Sequence, residues 1–592
     1  PKMNEKPKLE LKSGGQWLVS LIKENHIFCR ETFSEQHKDV DKLITDFSRE
    51  KIYPNIFKID KFNEKISKNL LTEMGDLGLL GVDAPEEYGG LNLDKITACI
   101  IAEGVQRGGS ASFGCTFGVQ TAIGTLGIVF FGTPKQKERF LPDLLSGKKI
   151  AAYGLTEPSS GSDALSAKTH AQLSKDKKFY ILNGEKQFIS NGGWADVFTI
   201  LAQIDKNEFS AFIVEKDTEG LTVGSEEKKM GVKGSSTTSL KFNDAKIPRE
   251  NLLHKVGKGA EIAFSALNIG RYKLAAATVG GSKLAIELSI QYAKERKQFG
   301  QPIANFDSIK GKIADMSTKV YAADTMLYRT VGMIQEAIND LDQNSQNYYE
   351  QMGKTMERFS IESSMAKVYG SETSDMVVDT SLQIFGGYGF IEEYPIAMAY
   401  RDDRINRIWE GTNEINRSII TGYMMKKVLM EEISLRNFIK ETKQPESKDS
   451  VLSNEEIAIN HSKKIACLIF NSALVKFGQD LKHEQQLSES LADIFTNIYV
   501  AESVLLRIRK SILISNKHQI CITFGKVLIE ELFQEIKSLT PKCINRIFGS
   551  SGSDKVRNSV DYLKNLITLD QDIISLKNKI ADFMYKQKRY PF

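Results

Sequence analysis

The sequence predicts a mainly α-helical protein with one small β domain set into it, and three observations predict this. Helical periodicity fills the N-terminal region, stops, and returns beyond Ala260. Between the two helical regions lies a cluster of short β-rich runs separated by glycine, lysine and asparagine. A polar tract after the second helical region then leads into a further helical stretch. At 592 residues the chain exceeds what one hydrophobic core organises, so roughly three or four structural units are expected.

The first unit, residues 31–152, reads as an N-terminal helical domain, with segments such as Lys38 to Phe47 and Ile66 to Leu79 broken at Tyr88-Gly89-Gly90 and Gly132-Thr133-Pro134. The second, 153–258, is the β domain, with strand-like runs at Phe179 to Leu182, Val197 to Ala202, Ala211 to Val214 and Ser239 to Phe242. Residues 259–428 return to helical periodicity, interrupted at Phe299 to Ile303 and at Gly386-Gly387-Tyr388-Gly389, and are long enough for a four-helix bundle. The tract 441–450 holds no large apolar residue and reads as an exposed linker. An additional helical domain, 451–592, follows it. There Leu487, Leu491, Ile494, Ile498, Ala501, Leu505 and Ile508 recur at alternating spacings of four and three, one narrow helical seam. An intramolecular bundle is the first reading of that seam and an intersubunit contact the second.

An apolar fraction of 41% and a charged fraction of 26% are those of an ordinary globular protein. No long uninterrupted apolar stretch of membrane-spanning character is apparent, so a transmembrane anchor is not expected. The formal charge of +4 is small against 79 basic and 75 acidic side chains, which argues against a nucleic-acid partner. Six cysteines scattered without CxxC spacing read as idle thiols of a reducing compartment; neither disulfides nor a metal site is expected. The lysine-rich opening, Pro1 to Leu11, is not followed by an apolar segment, so no secretory signal is expected.

Five stretches stand out chemically. The β domain opens on Tyr153-Gly154-Leu155-Thr156-Glu157-Pro158-Ser159-Ser160-Gly161-Ser162-Asp163, whose small and hydroxyl residues let backbone N–H groups meet a polar planar ligand closely. Phe188-Ile189-Ser190 closes a predicted strand, and Glu295-Arg296-Lys297-Gln298-Phe299-Gly300 ends a predicted helix. Gln383-Ile384-Phe385-Gly386-Gly387-Tyr388-Gly389 is a glycine-rich turn permissive of positive φ. Last comes Arg407-Ile408-Trp409-Glu410-Gly411-Thr412-Asn413-Glu414. Taken singly, each is a capped turn, a strand end, a helix-end charge or a solvated loop glutamate.

Their order changes that reading, because together they resemble the acyl-CoA dehydrogenase family. Its flavin-face signature, G-[LIVM]-[ST]-E-P-x-x-G-S-D, is matched position by position from Gly154 to Asp163. The resemblance implies an N-terminal helical domain, a β-barrel-like middle domain and a C-terminal helical bundle, here with an extra helical domain like that of the very-long-chain members. It implies FAD as cofactor, with Tyr153, Leu155, Thr156, Gly161, Ser162, Phe188, Ile189 and Ser190 at the flavin. Arg296 would bind the pyrophosphate across a homodimer interface, where a guanidinium fork suits phosphate oxygens. Phe299 and Phe306 would lie nearby, while Gln383, Gly386 and Gly387 would meet the adenosine half from the neighbouring subunit and Thr412 and Glu414 would contact FAD. Asp307 stands where many members have glutamine and is not assigned.

The same resemblance makes Glu410 the base that takes the α-proton of a fatty acyl-CoA. Ser162, Arg271 and Gly411 would contact substrate, and Asn268, where some relatives carry aspartate, has no assigned role. A minority of the family places the base just before the arginine; here that position is Gly270, so Glu410 has no competitor. Gly124 and Gly127, on a predicted helix, match glycines that deepen the acyl pocket of very-long-chain members. The implied reaction converts an acyl-CoA, of long chain length, to a trans-2-enoyl-CoA with hydride passing to flavin N5. Electron-transferring flavoprotein is the expected acceptor, and peripheral membrane contact through the lysine-bearing C-terminal domain is a further expectation. The compartment would be the cytoplasm in a bacterium or the mitochondrial matrix in a eukaryote. An acyl-CoA oxidase and an assembly protein retaining the FAD fold are the rival readings.

Overall fold

The computed structural model describes residues 13–22, 27–205, 208–441, 451–514, 518–549 and 555–592. Most of the expected linker, 442–450, lies outside the described residues.

The N-terminal region is helical, with its main helices at Glu35–Phe47, Glu64–Asp76, Lys95–Gln106, Ala111–Thr121, Leu126–Phe131 and Pro134–Leu145. Their starts are written locally. Ser34 accepts from the His37 N–H at 3.2 Å while its own N–H donates to His37 Nδ1 at 3.3 Å. Thr133 and Gln136 exchange the same pair of bonds around Pro134. One apolar stretch, Ala111–Phe131, is in fact long and apolar enough to cross a membrane by composition. It is broken between Thr121 and Leu126 and is 78% buried inside the protein, the signature of core helices.

The middle region is one eight-stranded sheet: β1 (Ala151–Gly154), β2 (His170–Leu173), β3 (Phe179–Ser190), β4 (Val197–Ile204), β5 (Glu208–Glu215), β6 (Leu221–Val223), β7 (Thr237–Pro248) and β8 (Leu252–Leu253). The order is β6-β7-β3-β2-β4-β5-β8, with β1 lying parallel beside β4. Register shifts between Leu182 and Gly184 and between Lys186 and Ile189 bend β3 against β7, which re-aims the strand end carrying Phe188 and Ser190.

Four long helices follow, Gly259–Glu295, Asp307–Asn339, Ser360–Phe385 and Asn413–Leu429. The first packs along Ser360–Phe385 and against Lys95–Gln106, close enough that a Cβ on Gly280 would lie 2.1 Å from the Glu103 carbonyl oxygen. Beyond them, Ser453–Phe477, Gln485–Ile514 and His518–Phe548 pack on one another. Every residue of the Leu487–Ile508 seam is buried, and the seam faces these intramolecular partners.

The additional domain is tied down by buried charge. Arg507, with no exposed surface, donates to Glu31 at 2.8 Å and to Asp324 at 2.8 Å. Asp324 also accepts from Lys283 at 2.7 Å and from Arg30 at 2.7 Å, and Glu103 takes Lys283 at 2.9 Å and the Tyr328 hydroxyl at 2.7 Å. Three domains therefore meet on one balanced network, which is how buried ions become tolerable. The far end of the chain is also spent on internal contacts: Lys577 pairs with Asp315 at 2.7 Å and Glu531 at 2.6 Å, and Tyr590 and Phe592 are buried.

Candidate active site

Glu410 sits between a 3-10 turn at Arg404–Arg407 and the helix Asn413–Leu429. Its φ is +57° and that of Gly411 is +79°, so two successive residues occupy the left-handed region, a conformation non-glycine residues rarely adopt unless held there. Several bonds hold it. The Asn416 side chain donates to the carbonyls of Gly411 at 2.8 Å and Thr412 at 3.0 Å, Thr412 caps the helix by accepting from the Ile415 N–H at 3.3 Å, and Lys367 Nζ donates to the Gly411 carbonyl at 2.8 Å.

The carboxylate turns inward. A Cβ on Gly270 would lie 2.3 Å from Glu410 Oε2 and 2.6 Å from Cδ, so only glycine at this point of the Gly259–Glu295 helix leaves the carboxylate its place. Oε2 is shut off from solvent and has no hydrogen-bond partner among the described residues. Burial pushes the Glu410 pKa up to about 7, partly countered by the charges of Arg271 and Lys367. Arg271 lies behind, donating to Asn268 Oδ1 at 2.8 Å and toward the Glu410 carbonyl at 3.4 Å. Asn268 thus acquires a role: it orients the guanidinium.

Two further elements face the same space. Tyr153 on β1 is buried with its hydroxyl unpartnered, and burial followed by the Glu410 charge raises its pKa. The Cys115 thiol, raised by burial, is influenced in turn by Lys229, by hydrogen bonding to the Ser190 and Ser235 hydroxyls, and by Glu410. The end of β3 and the Glu410 loop therefore converge on the helix Ala111–Thr121. At that strand end Ile189 is buried, while Phe188 has φ +58° and is 59% exposed. Along the first motif, Leu155 is buried, Thr156 is half-buried, and Gly161 and Ser162 are exposed, with open space where a Gly161 Cβ would project. Glu157 instead turns inward, accepting from Lys186 Nζ at 2.7 Å and from the Thr169 N–H at 3.0 Å. The Gln187 N–H donates to the Thr156 carbonyl at 2.9 Å, so the strand end with its exposed, strained Phe188 lies against the first motif, a setting suited to a large planar group.

A second group gathers around Tyr388 rather than Glu410. The exposed Arg296 guanidinium lies 5.5 Å from the Tyr388 ring centre, and Phe299, 92% exposed with φ +52°, meets Phe306 edge-on at 6.0 Å. Gln383, Gly386 and Gly387 are exposed, and nothing lies within 4 Å of where either glycine's Cβ would stand. Glu414, in the first turn of its helix, is exposed as well.

Of the two glycines matched to the acyl pocket, Gly127 lies in a helix as expected and Gly124 does not. Gly124 lies in the break between two helices, not within one, and a Cβ there would come within 2.7 Å of the Ala151 Cβ, so its small size serves helix-to-sheet packing. A Cβ on Gly127 would make ordinary contacts, 3.5 Å from Ile262 and 3.6 Å from Leu253. All six cysteines are free. His254, Glu261 and Glu350 approach one another as metal ligands would, yet Lys258 and Lys354 already pair with the two glutamates. Lys367, Asn416 and Cys115 were not singled out from the sequence. A lysine between Ala366 and Val368 in an otherwise small and apolar helix face was the available signal for the first.

Four family models cover most of the chain: the acyl-CoA dehydrogenase N-terminal domain at 34–148, the middle domain at 152–245, and two C-terminal domains at 257–425 and 461–565. A probable acyl-CoA dehydrogenase of Bacillus subtilis is 41% identical over 98% of this chain and 99% of its own. The mitochondrial very long-chain specific acyl-CoA dehydrogenase of Bos taurus is 34% identical over 76% of this chain and 71% of its own. The crystal structure of an acyl-CoA dehydrogenase complexed with FAD from Bacillus anthracis superposes with a TM-score of 0.94 at 42% identity, covering 98% of this chain and 100% of that one.

Proposed function

This chain belongs to the acyl-CoA dehydrogenase family, and from that premise we propose that it dehydrogenates long-chain fatty acyl-CoA thioesters between the α and β carbons, with FAD as cofactor and Glu410 as the base. The observation that carries the reading is the Glu410 carboxylate, whose Oε2 is closed off from solvent without a partner, its pKa raised to about 7, on a residue held in a left-handed turn.

Tyr153, Gly161, Phe188 and Ser190 fit the flavin half of FAD; Arg296, Gln383, Gly386 and Gly387 fit the pyrophosphate and adenosine half of the partner's cofactor. When bound, FAD supplies the oxidant that accepts hydride from the β carbon. The chain's own work is on the proton. An α-hydrogen of a thioester is a very weak acid, so the base must be basic enough and the developing enolate must be stabilised where its charge appears. Desolvation raises Glu410 toward the operating pH, where a general base combines availability with driving force. The Cα–H pair becomes the new double bond as the proton passes to the Glu410 carboxylate. Gly411, with no side chain beside the base, leaves room for the thioester, and Arg271 backs the loop with positive charge.

Long-chain specificity is supported by the likeness to a very long-chain relative and by the extra C-terminal domain. A homodimer is supported by Phe299 and Phe390, 92% and 83% exposed, around the second cofactor group; electron-transferring flavoprotein is the matching acceptor. The test is an anaerobic titration of the yellow protein with acyl-CoAs of increasing length. The proposal expects loss of oxidised-flavin absorbance, most complete with long chains. No bleaching with any acyl-CoA would indicate a scaffold, an optimum on butyryl-CoA would overturn the chain length, and stoichiometric peroxide in air would indicate an oxidase.

A further inference from the structure

Lys367 lies midway along the helix Ser360–Phe385 and has no exposed surface. A buried ammonium is costly and survives only where good acceptors and a compensating charge receive it. Its acceptors are both in the segment that follows Glu410: the Gly411 carbonyl at 2.8 Å and Asn413 Oδ1 at 2.7 Å. Asn413 is gripped from the same helix, donating to the Ser371 hydroxyl at 3.1 Å and to Glu372 at 3.0 Å. Lys367 and Ser371 are four residues apart, so one face of a rigid helix clamps the first turn after the base.

The ammonium makes no direct ion pair among the described residues, and both of its acceptors are neutral. The negative charge it feels most is that of Glu410, followed by Glu372 and Glu414, with Arg271 opposing it. Glu410 in turn faces Arg271 from the Gly259–Glu295 helix, Lys367 from the Ser360–Phe385 helix, Tyr153 from β1 and Cys115 from the Ala111–Thr121 helix. Of these, Arg271 is already engaged by Asn268.

We propose that Lys367 is a positioning residue for proton abstraction: its ammonium fixes the left-handed Glu410-Gly411 turn through Gly411 and Asn413, and its charge favours the ionised form of the Glu410 carboxylate in a dry pocket. This rests on Glu410 being the base. Burial lowers Lys367 to about 7 and raises Glu410 to about 7, so each group's charge supports the other's at the pH where the base must work.

The test compares the pH dependence of anaerobic flavin reduction by a saturating long-chain acyl-CoA in the wild-type holoenzyme, Lys367→Gln and Lys367→Met, with flavin content and melting temperature measured alongside. Glutamine keeps a donor for Gly411 without the charge; methionine removes both. The expected result is an apparent base pKa raised by about one unit or more in Lys367→Gln, with KM changed less than the limiting rate. Lys367→Met shows the same shift and, at high pH, a further rate loss of about tenfold as the turn is released. A Lys367→Gln profile that superposes on wild type, or a lower rate with an unmoved pKa, overturns the inference while leaving Glu410 as base. If Lys367→Met does not fold, the glutamine profile decides alone. If the wild-type flavin is not reduced at all, the reading of Glu410 falls and this inference with it.

Discussion

Replacing Gly270 with alanine tests the placement of the base without touching it. The added Cβ would stand 2.3 Å from Glu410 Oε2, whereas ordinary contact begins near 3.4 Å, so the carboxylate must retreat by about 1 Å. The obstacle is the tip of a flexible side chain, so the fold can yield, and alanine in a helix interior gains about 1 kcal/mol over glycine, which offsets the local crowding. The catalytic geometry cannot yield as cheaply: a misplacement of about 1 Å costs on the order of 100-fold in rate, or about 2.7 kcal/mol of transition-state stabilisation. The assay pairs thermal unfolding with kcat/KM on a long-chain acyl-CoA. A melting temperature near wild type with kcat/KM down about 100-fold is expected. Wild-type kinetics in a fully folded Gly270→Ala protein would refute the packing of the carboxylate against this helix.

Glu410 must be ionised to act, and its pKa is raised to about 7, so kcat/KM should rise with pH through about 7 and fall away below it; a profile flat from pH 5 to 8 would contradict this. Arg296→Ala should release FAD more readily on dilution or gel filtration, and unchanged flavin occupancy would count against a pyrophosphate contact. Arg507→Met leaves Glu31 and Asp324 without their buried partner and should cost about 3–5 kcal/mol, read as a lower unfolding midpoint. An unchanged midpoint would show that the additional domain is not held by this network.

The helical, β and helical succession was legible because the period of apolar residues changes abruptly near Tyr153 and again near Ala260, and period is what element type responds to. The roles proposed for Glu410 and the flavin-face residues rest on the order of their motifs, since a glutamate before Gly-Thr carries no geometry of its own. Gly124 shows the limit of that route: matched position told that it is small, whereas Ala151, distant in sequence, decides what the smallness is for. Lys367 and Asn416 escaped for the same reason. Each acts on the backbone of the Glu410 loop: Asn416 has no mark in the residue pattern, and the mark for Lys367, a lysine between Ala366 and Val368, does not say which carbonyl it meets. The apolar run Ala111–Phe131 is ambiguous by composition, which alone allows a membrane span; its break at residues 122–125 and the interior it fills identify core helices.

The most direct test of the account is single-turnover reduction of the Glu410→Gln holoenzyme by a long-chain acyl-CoA without oxygen. The amide keeps the volume of the side chain and removes its basicity, so the protein should fold, stay yellow and bind the thioester. Its flavin should remain oxidised on the timescale in which wild type bleaches completely. Reduction within about threefold of the wild-type rate would contradict the assignment of Glu410 as the base.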